Sequence, residues 1–178
     1  MKGGPAVASP IVERIAVVLK ARLERIKTSN GFNYTAAGVL RPPRLGKINP
    51  RHLQIVLVQD DPSINDAETK NGGAGLLLGI DQPFTILAFL RPGDTDETPI
   101  ETYINTFEAD IRKAITNPVT PANTLWHEFR EADNTRLAIT ARFESSQYFP
   151  EASGALDGIA IPLVVTYRTP EDDPFSVG

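Results

Sequence analysis

The hydrophobic pattern of this chain changes from helical to alternating within one eight-residue segment, "KTSNGFNY", residues 27–34. Before the segment, apolar residues recur between Val12 and Ile26 with the i, i+3, i+4, i+7 spacing of a helix that buries one face. Within it, Phe32 and Tyr34 alternate with polar residues, as the side chains of a strand do. The segment therefore predicts a corner at which a helix leads directly into a sheet.

The residues around the first helix predict where it begins and ends. Ser9 can accept a hydrogen bond from the first turn as N-cap, and Pro10 suits the first helical position, where an N–H would have no partner. Asn30 and Gly31 tolerate positive φ and can close the C-terminal end. We therefore expect a helix over residues 10–27.

A second helix is indicated after residue 98. Thr98 suits its N-cap, Pro99 its first position, and Pro118 lies beyond its end. Its apolar stripe consists of Ile100, Tyr103, Ile104, Phe107, Ile111 and Ile115. Each helix thus presents one apolar face, which another layer of the fold has to cover.

Strand-like and turn-forming segments alternate between the two helices. Residues 52–59, "HLQIVLVQ", have the composition of a buried strand, and residues 60–75 that of an acidic, glycine-rich loop. Two apolar runs follow, "LLLGI" and "FTILAFL", separated by "DQP". One bent strand and two paired strands both fit this pattern.

The last third of the chain predicts two closing strands. Residues 136–143 and 159–167 alternate between two faces, as strands with one buried face do. Pro162 lacks the N–H of a ladder donor, which predicts an edge strand or a bulged strand. We expect residues 169–178 to form a mobile acidic tail and residues 1–9 a flexible arm.

The element order predicts an α+β fold with a mainly antiparallel sheet and two principal helices packed on one face. With 178 residues, of which 41% are apolar, the chain is long enough for a single domain, residues 1–178, with its own core. It has no cysteine for a disulfide framework and no apolar run of membrane-spanning length. Cytoplasmic synthesis is the expectation.

The charges are unevenly distributed along the chain. Residues 1–59 hold ten of the 18 Lys and Arg but only two acids, whereas residues 60–178 hold eight basic and 20 acidic residues. Such a chain can attract copies of itself, although a scatter of both signs over one solvated surface is an equal alternative. The net charge of -4 argues against a general DNA-coating role.

No motif in the sequence indicates an enzyme. Gly72, Gly73 and Gly75 are closely spaced but lack the Lys-Ser/Thr of a phosphate loop, so a loop tip is the simpler interpretation. His52 and His127 each lack a second ligand at metal-binding spacing. The acidic runs "GDTDET" and "EDDP" do not match a calcium loop. We therefore expect no catalytic residue, no cofactor and no metal site.

The element order and several residues resemble the tail terminator proteins of tailed bacteriophages and the related neck or tail-completion proteins. The residues that carry the resemblance are Ile26, Thr28, Asn30, Gly31 and Phe32 at the corner, Ala109, Asp110 and Ile111 in the second helix, and Tyr167 in the last strand. The likeness covers nearly the whole chain in element order. This chain carries longer loops at 60–75 and 144–157 than a minimal version needs.

The resemblance implies a non-enzymatic virion subunit, made in the host cytoplasm, that forms a hexameric ring on the tail tube. The ring would stop tail polymerisation and present a surface to the head–tail connector, with DNA passing through only as cargo and no membrane involved. Its partners would be further copies of itself, the tail tube protein and the connector protein.

A ring needs contacts between two different surfaces of neighbouring subunits. The charge asymmetry suggests two oppositely charged loops for this role. The residues expected at the subunit interface are Arg41, Arg44 and Lys47 in the basic loop and Asp60, Asp61 and Asp66 in the acidic loop. Another connector or minor tail protein, and a small-ligand-binding module, are the alternatives.

Overall fold

A computed structural model describes residues 9–41, 54–69, 76–90, 99–117, 125–150 and 157–177. The helices are α1 (Ile11–Leu23) and α2 (Ile100–Thr116), with single 3-10 turns at Thr28–Asn30 and Trp126–Glu128. The strands are β1 (Val39–Leu40), β2 (Gln54–Gln59), β3 (Ser63–Thr69), β4 (Leu76–Leu90), β5 (Thr140–Phe143), β6 (Gln147–Pro150) and β7 (Asp157–Pro170). The predicted flexible arm falls almost wholly outside the described residues.

The predicted fold class is confirmed: the strands form one mixed, mostly antiparallel sheet accompanied by two helices. The order across the sheet is β1-β2-β4-β7-β5, with β3 also paired to β4 and β6 also paired to β7. Only β1 and β2 run parallel among the described strand pairs. The predominance of antiparallel neighbours follows from the hairpin-like order of the strands in the sequence.

The centre of the sheet is a long ribbon of two strands. β4 and β7 pair from Leu77–Pro170 to Leu90–Asp157, so the two apolar runs on either side of "DQP" belong to one continuous strand. β2 and β3 follow one another along the free edge of β4, and β5 and β6 do the same along β7. Each side of the ribbon is therefore lined by two short strands with one break between them.

The two interruptions coincide with the two prolines of the ribbon. The carbonyl of Pro83 accepts a hydrogen bond from the amide of Asp60, between β2 and β3, and that of Pro162 accepts one from Glu144, between β5 and β6. A strand residue directs its N–H and C=O positions to the same edge, so each missing N–H faces the break between two flanking strands, at Asp60 and Glu144. The prolines therefore interrupt no continuous ladder of hydrogen bonds, because the neighbouring strand is already broken at each of these points.

Three sequence predictions about these segments were wrong. Residues 60–75 do not form one long loop, because 63–69 are strand β3, and the segment 144–157 contains strand β6. The last strand is also neither at the edge nor bulged at Pro162, since it pairs with β4 on one side and with β5 and β6 on the other. Polar composition concealed β3, in which Ser63, Ile64, Asn65 and Ala67 are exposed.

Both helices pack on the same face of the sheet, as predicted, and share a core with it. In α1 the residues Ile11, Ile15, Leu19 and Leu23 are fully buried. They pack with Phe107 and Ile111 of α2 and with alternate residues of the ribbon, including Phe84, Ile86, Ile161, Leu163 and Val165. Neither helix of the described residues is long and apolar enough to cross a membrane.

The ends of the helices differ slightly from the predicted ones. Pro10, rather than Ser9, occupies the N-cap of α1, and the helix ends at Leu23. The chain then makes the 3-10 turn and closes it with Gly31 at φ 78°, the positive φ that the sequence predicts. Ile26 stays fully buried beyond the helical residues, which explains why the apolar pattern continues past Leu23.

The segment predicted to be a mobile tail contacts the body of the protein. Its first residues, Thr169 and Pro170, belong to β7. The amide of Ile11 donates to the carbonyl of Pro174 at 3.2 Å, and the hydroxyl of Thr169 donates to the carbonyl of Asp173 at 2.8 Å. The tail therefore covers the N-terminal end of α1 in this structure, while its mobility stays a prediction.

Candidate functional site

The corner that opens the sheet is held against α2 by a buried carboxylate. Asp110 is 1% exposed, and its carboxylate accepts hydrogen bonds from the backbone N–H groups of Asn33 and Tyr34 at 2.8 and 3.0 Å. It accepts a third from the side-chain amide of Asn33 at 2.9 Å. These three donors satisfy the buried carboxylate, and none of the ion pairs among the described residues involves it.

Three further contacts fix the same corner. Lys113, one turn further along α2, donates to the carbonyl of Gly31 at 2.7 Å, and its ammonium lies 5.0 Å from the ring centre of Phe32. The ring of Tyr34 packs edge-on against Phe107 at 5.9 Å. In the sequence the corner and Asp110 are separate features, and no pattern predicts the hydrogen bonds between them. The available signal is a charged residue on the apolar side of α2, between Phe107 and Ile111.

Arg41, the one described residue of the predicted basic set, is paired within its own chain. Arg41 donates to both carboxylate oxygens of Glu13 in the first turn of α1, at 2.5 and 2.9 Å. Arg44 and Lys47 lie outside the described residues. Arg41 therefore lies in an internal ion pair, and it is a weak candidate for binding a neighbouring acidic loop.

The acidic half of the predicted interface lies on and around the β2–β3 turn. Asp60 is half-buried and accepts a hydrogen bond from the hydroxyl of Thr85 at 2.7 Å, whereas Asp61 is exposed. Asp66 belongs to β3, where it pairs with Gly79. Of the described ion pairs and hydrogen bonds, none joins these acids to Arg41, which binds Glu13 instead.

An open cavity of about 640 Å³ lies between the outer face of α1 and the turn at residues 130–132. Its apolar part comes from Val17, Val18 and Ala21 of the helix. Its charged lining consists of the arginines Arg14, Arg22, Arg25 and Arg130 and the glutamates Glu13 and Glu131. We call this site the α1 cavity; cations outnumber anions in its lining.

Arg22 is the unusual residue of the α1 cavity because it is only 5% exposed. Its Nη1 donates to the carbonyls of Ile115 and Trp126 at 3.0 and 2.7 Å, and its guanidinium lies 4.4 Å from the ring centre of Phe129. Its Nη2 is buried and has no hydrogen-bond partner among the described residues. Burial, and secondarily the charge of Arg25, lowers the pKa of Arg22 to about 10, so it stays protonated at neutral pH.

The glutamates of the cavity do not neutralise this buried cation. Glu131 is bound by Arg14, whose Nε donates at 2.9 Å to one oxygen while a second nitrogen binds the other, and Glu13 is bound by Arg41. Arg25 donates instead to the carbonyl of Asn117 at 3.2 Å. Within the described ranges, Arg22 and Arg25 form no ion pair, which leaves the cavity suited to an anionic group.

The described residues include no group of three or more His, Cys, Asp or Glu side chains that could hold a metal ion. His127 lies in the second 3-10 turn beside Trp126, and His52 falls outside the described ranges. The prediction of no catalytic, cofactor or metal residue stays a prediction.

No protein-family model matches the chain, and no curated protein is significantly similar to it.

Proposed function

We propose that this protein is a structural virion protein of a tailed bacteriophage that caps the tail tube as a hexameric ring. The ring ends tail polymerisation and forms the surface that joins the tail to the head. In this proposal the protein is not an enzyme; it is made in the host cytoplasm and becomes part of the neck of the virion.

The observation that carries the proposal is the contact between Asp110 and the corner. The resemblance to tail terminators rests on residues 26–32 and on residues 109–111, which are far apart in the sequence. Asp110 binds the two residues that directly follow the corner turn, and Lys113 binds Gly31 within it. One helix, α2, therefore holds both Gly31 and the residues that follow the turn, through Lys113 and Asp110. This contact between the two segments supports treating them as one feature of the fold.

The distribution of charged surfaces supports self-assembly. A ring that closes on itself joins one surface of a subunit to a different surface of the next. The described residues offer a cationic cavity on α1 and an exposed acidic turn between β2 and β3. Contacts of opposite charge steer such association and weaken as salt screens them.

The test is the mass of the purified protein by light scattering at low and high salt, with and without purified tail tubes. We expect a complex of six chains of 19.4 kDa, free in solution or formed on the tubes, and tubes that no longer elongate once the protein is bound. Tubes incubated without the protein are the control. A protein that stays monomeric in both salts and leaves tube growth unchanged contradicts the proposal.

Two alternatives give different results in the same assay. Another connector or minor tail protein would bind the connector ring and leave tube elongation unchanged. The α1 cavity favours a small-ligand-binding module as the second alternative, because its volume and its cations suit a small anion. Such a module would be a monomer whose melting temperature rises when the anion is added.

A further inference from the structure

The α1 cavity combines exposed apolar surface with two arginines, Arg22 and Arg25, that have no carboxylate partner among the described residues. Val17, in its apolar part, is 54% exposed. Arg22 and Arg25 lie beside it and bind only neutral carbonyls among the described residues. A partner that suits this site has an apolar side chain and at least one carboxylate close to it.

The β2–β3 turn of the same protein has these two properties. Ile64, the first apolar residue of β3, is 66% exposed, more than the other large apolar side chains described. Asp61 is exposed three residues before it, and the turn carries no basic residue between Asp60 and Asp66. β3 is held by its antiparallel pairing with β4, so the turn is presented on a rigid element.

We propose that the α1 cavity of one copy binds the β2–β3 turn of a second copy, with Ile64 packing near Val17 and Asp61 facing the arginines. The contact joins two different surfaces. It leaves a free α1 cavity at one end of the pair and a free β2–β3 turn at the other, so further copies can be added. It rests on the proposed function for the claim that the chain of contacts closes into a ring. It also replaces the basic loop around Arg41 by α1 as the partner of the predicted acidic loop.

The absence of cysteine from the sequence allows a clean test by site-specific crosslinking. The variants Val17→Cys and Ile64→Cys, carrying different mass tags, are mixed and treated with a short bis-maleimide. We expect the mixed dimer to form about tenfold faster than with a control pair, Val17→Cys and Tyr148→Cys, because docking raises the effective thiol concentration. Tyr148 is a suitable control since it is also exposed, at 42%, but lies on β6.

Charge substitutions test the role of the arginines in the same assay. Introducing Asp61→Arg into the Ile64→Cys chain should lower the crosslinking rate several-fold. Introducing Arg25→Asp into the Val17→Cys chain should restore part of it. An unchanged rate with Asp61→Arg overturns the proposal, as does a mixed-dimer rate equal to that of the control pair.

The remaining outcomes separate this contact from the ring itself. A hexameric ring without the Val17–Ile64 crosslink overturns the contact and leaves the proposed function in place. The crosslink in a protein that never forms six-copy complexes supports the contact and contradicts the ring. Predominant Val17–Val17 crosslinking, or stabilisation by inorganic phosphate without any mixed dimer, overturns the contact and assigns the cavity to a symmetric dimer or to a small anion.

Discussion

Asp110 and Arg22 are both buried ionisable side chains on helices, yet their surroundings differ. Asp110 is 1% exposed and accepts three hydrogen bonds from the corner that follows α1. Arg22 is 5% exposed and uses Nη1 for two carbonyls, while its buried Nη2 has no partner in the described part of the chain. The hydrogen-bonding capacity of Asp110 is satisfied by its own chain, whereas that of Arg22 is satisfied only in part by the described residues.

The difference separates a structural role from a candidate binding role. A buried charge is stabilising only when nearly all of its hydrogen-bonding groups are paired, because desolvation offsets much of the Coulombic gain. Asp110 meets that condition and joins two distant segments. Arg22 meets it only in part, and it lies in the lining of a cavity that a partner can enter.

Replacing Asp110 gives the largest expected effect. Asp110→Ala removes the acceptor of two backbone N–H groups and one amide, and we expect the free energy of unfolding to fall by about 3 kcal/mol. Urea unfolding followed by circular dichroism measures this loss. Glu101→Ala, on the exposed side of the same helix, is the matched control and should change stability by less than about 0.5 kcal/mol. Equal losses in both variants would show that the corner does not depend on the carboxylate.

Replacing Arg22 should cost less. In Arg22→Met an unbranched side chain can retain the packing on Phe129, and the loss of two carbonyl partners is offset by removal of a buried charge. We expect a decrease of about 1–2 kcal/mol in the same urea assay. Lys20→Met, on α1 and more exposed, is the control. A loss as large as that of Asp110→Ala would contradict the view that Arg22 is incompletely satisfied.

Tyr167 gives the smallest and most specific effect, through pH. Burial raises the pKa of its phenol above the usual value near 10, so the folded protein keeps a proton that the unfolded chain loses. Stability is therefore unaffected by this group below about pH 10 and falls as pH rises from there towards the folded-state pKa. Tyr167→Phe should lose less stability than the natural chain between about pH 8 and about pH 10.5 in urea unfolding. An identical decrease in both proteins would exclude Tyr167 as a source of alkaline destabilisation.

The fold could be predicted largely because its strongest patterns are local. The apolar stripes of α1 and α2 indicate helices whatever surrounds them, and the proline and glycine signals place their ends within a few residues. β3 and β6 were missed because edge strands gain little from burying side chains, so their sequences resemble loops. Pro162 misled the prediction for a different reason. A missing donor is harmless in a central strand when the neighbouring strand is interrupted opposite it.

The candidate site was predicted only in part because charge along the sequence does not show which charges are already paired. Arg41 belongs to the basic part of the chain, but Glu13 binds it across α1 and the start of the sheet. Arg22 lies in an amphipathic helix, and no sequence pattern distinguishes it from the other polar residues of that helix. Only packing against Phe129 and the carbonyls of two distant segments makes it a buried cation.

The sequence by itself therefore determined the α+β class, both helices, the corner with its left-handed glycine and the main strands, since each depends on neighbours within a few turns. The tertiary structure decided which charges are neutralised, where the flanking strands break and where the cavity lies. These depend on contacts between residues that are distant along the chain, such as Arg22 with Trp126 and Asp110 with Asn33. Local propensities do not specify such contacts, because their free energy comes from desolvation and pairing in the folded chain.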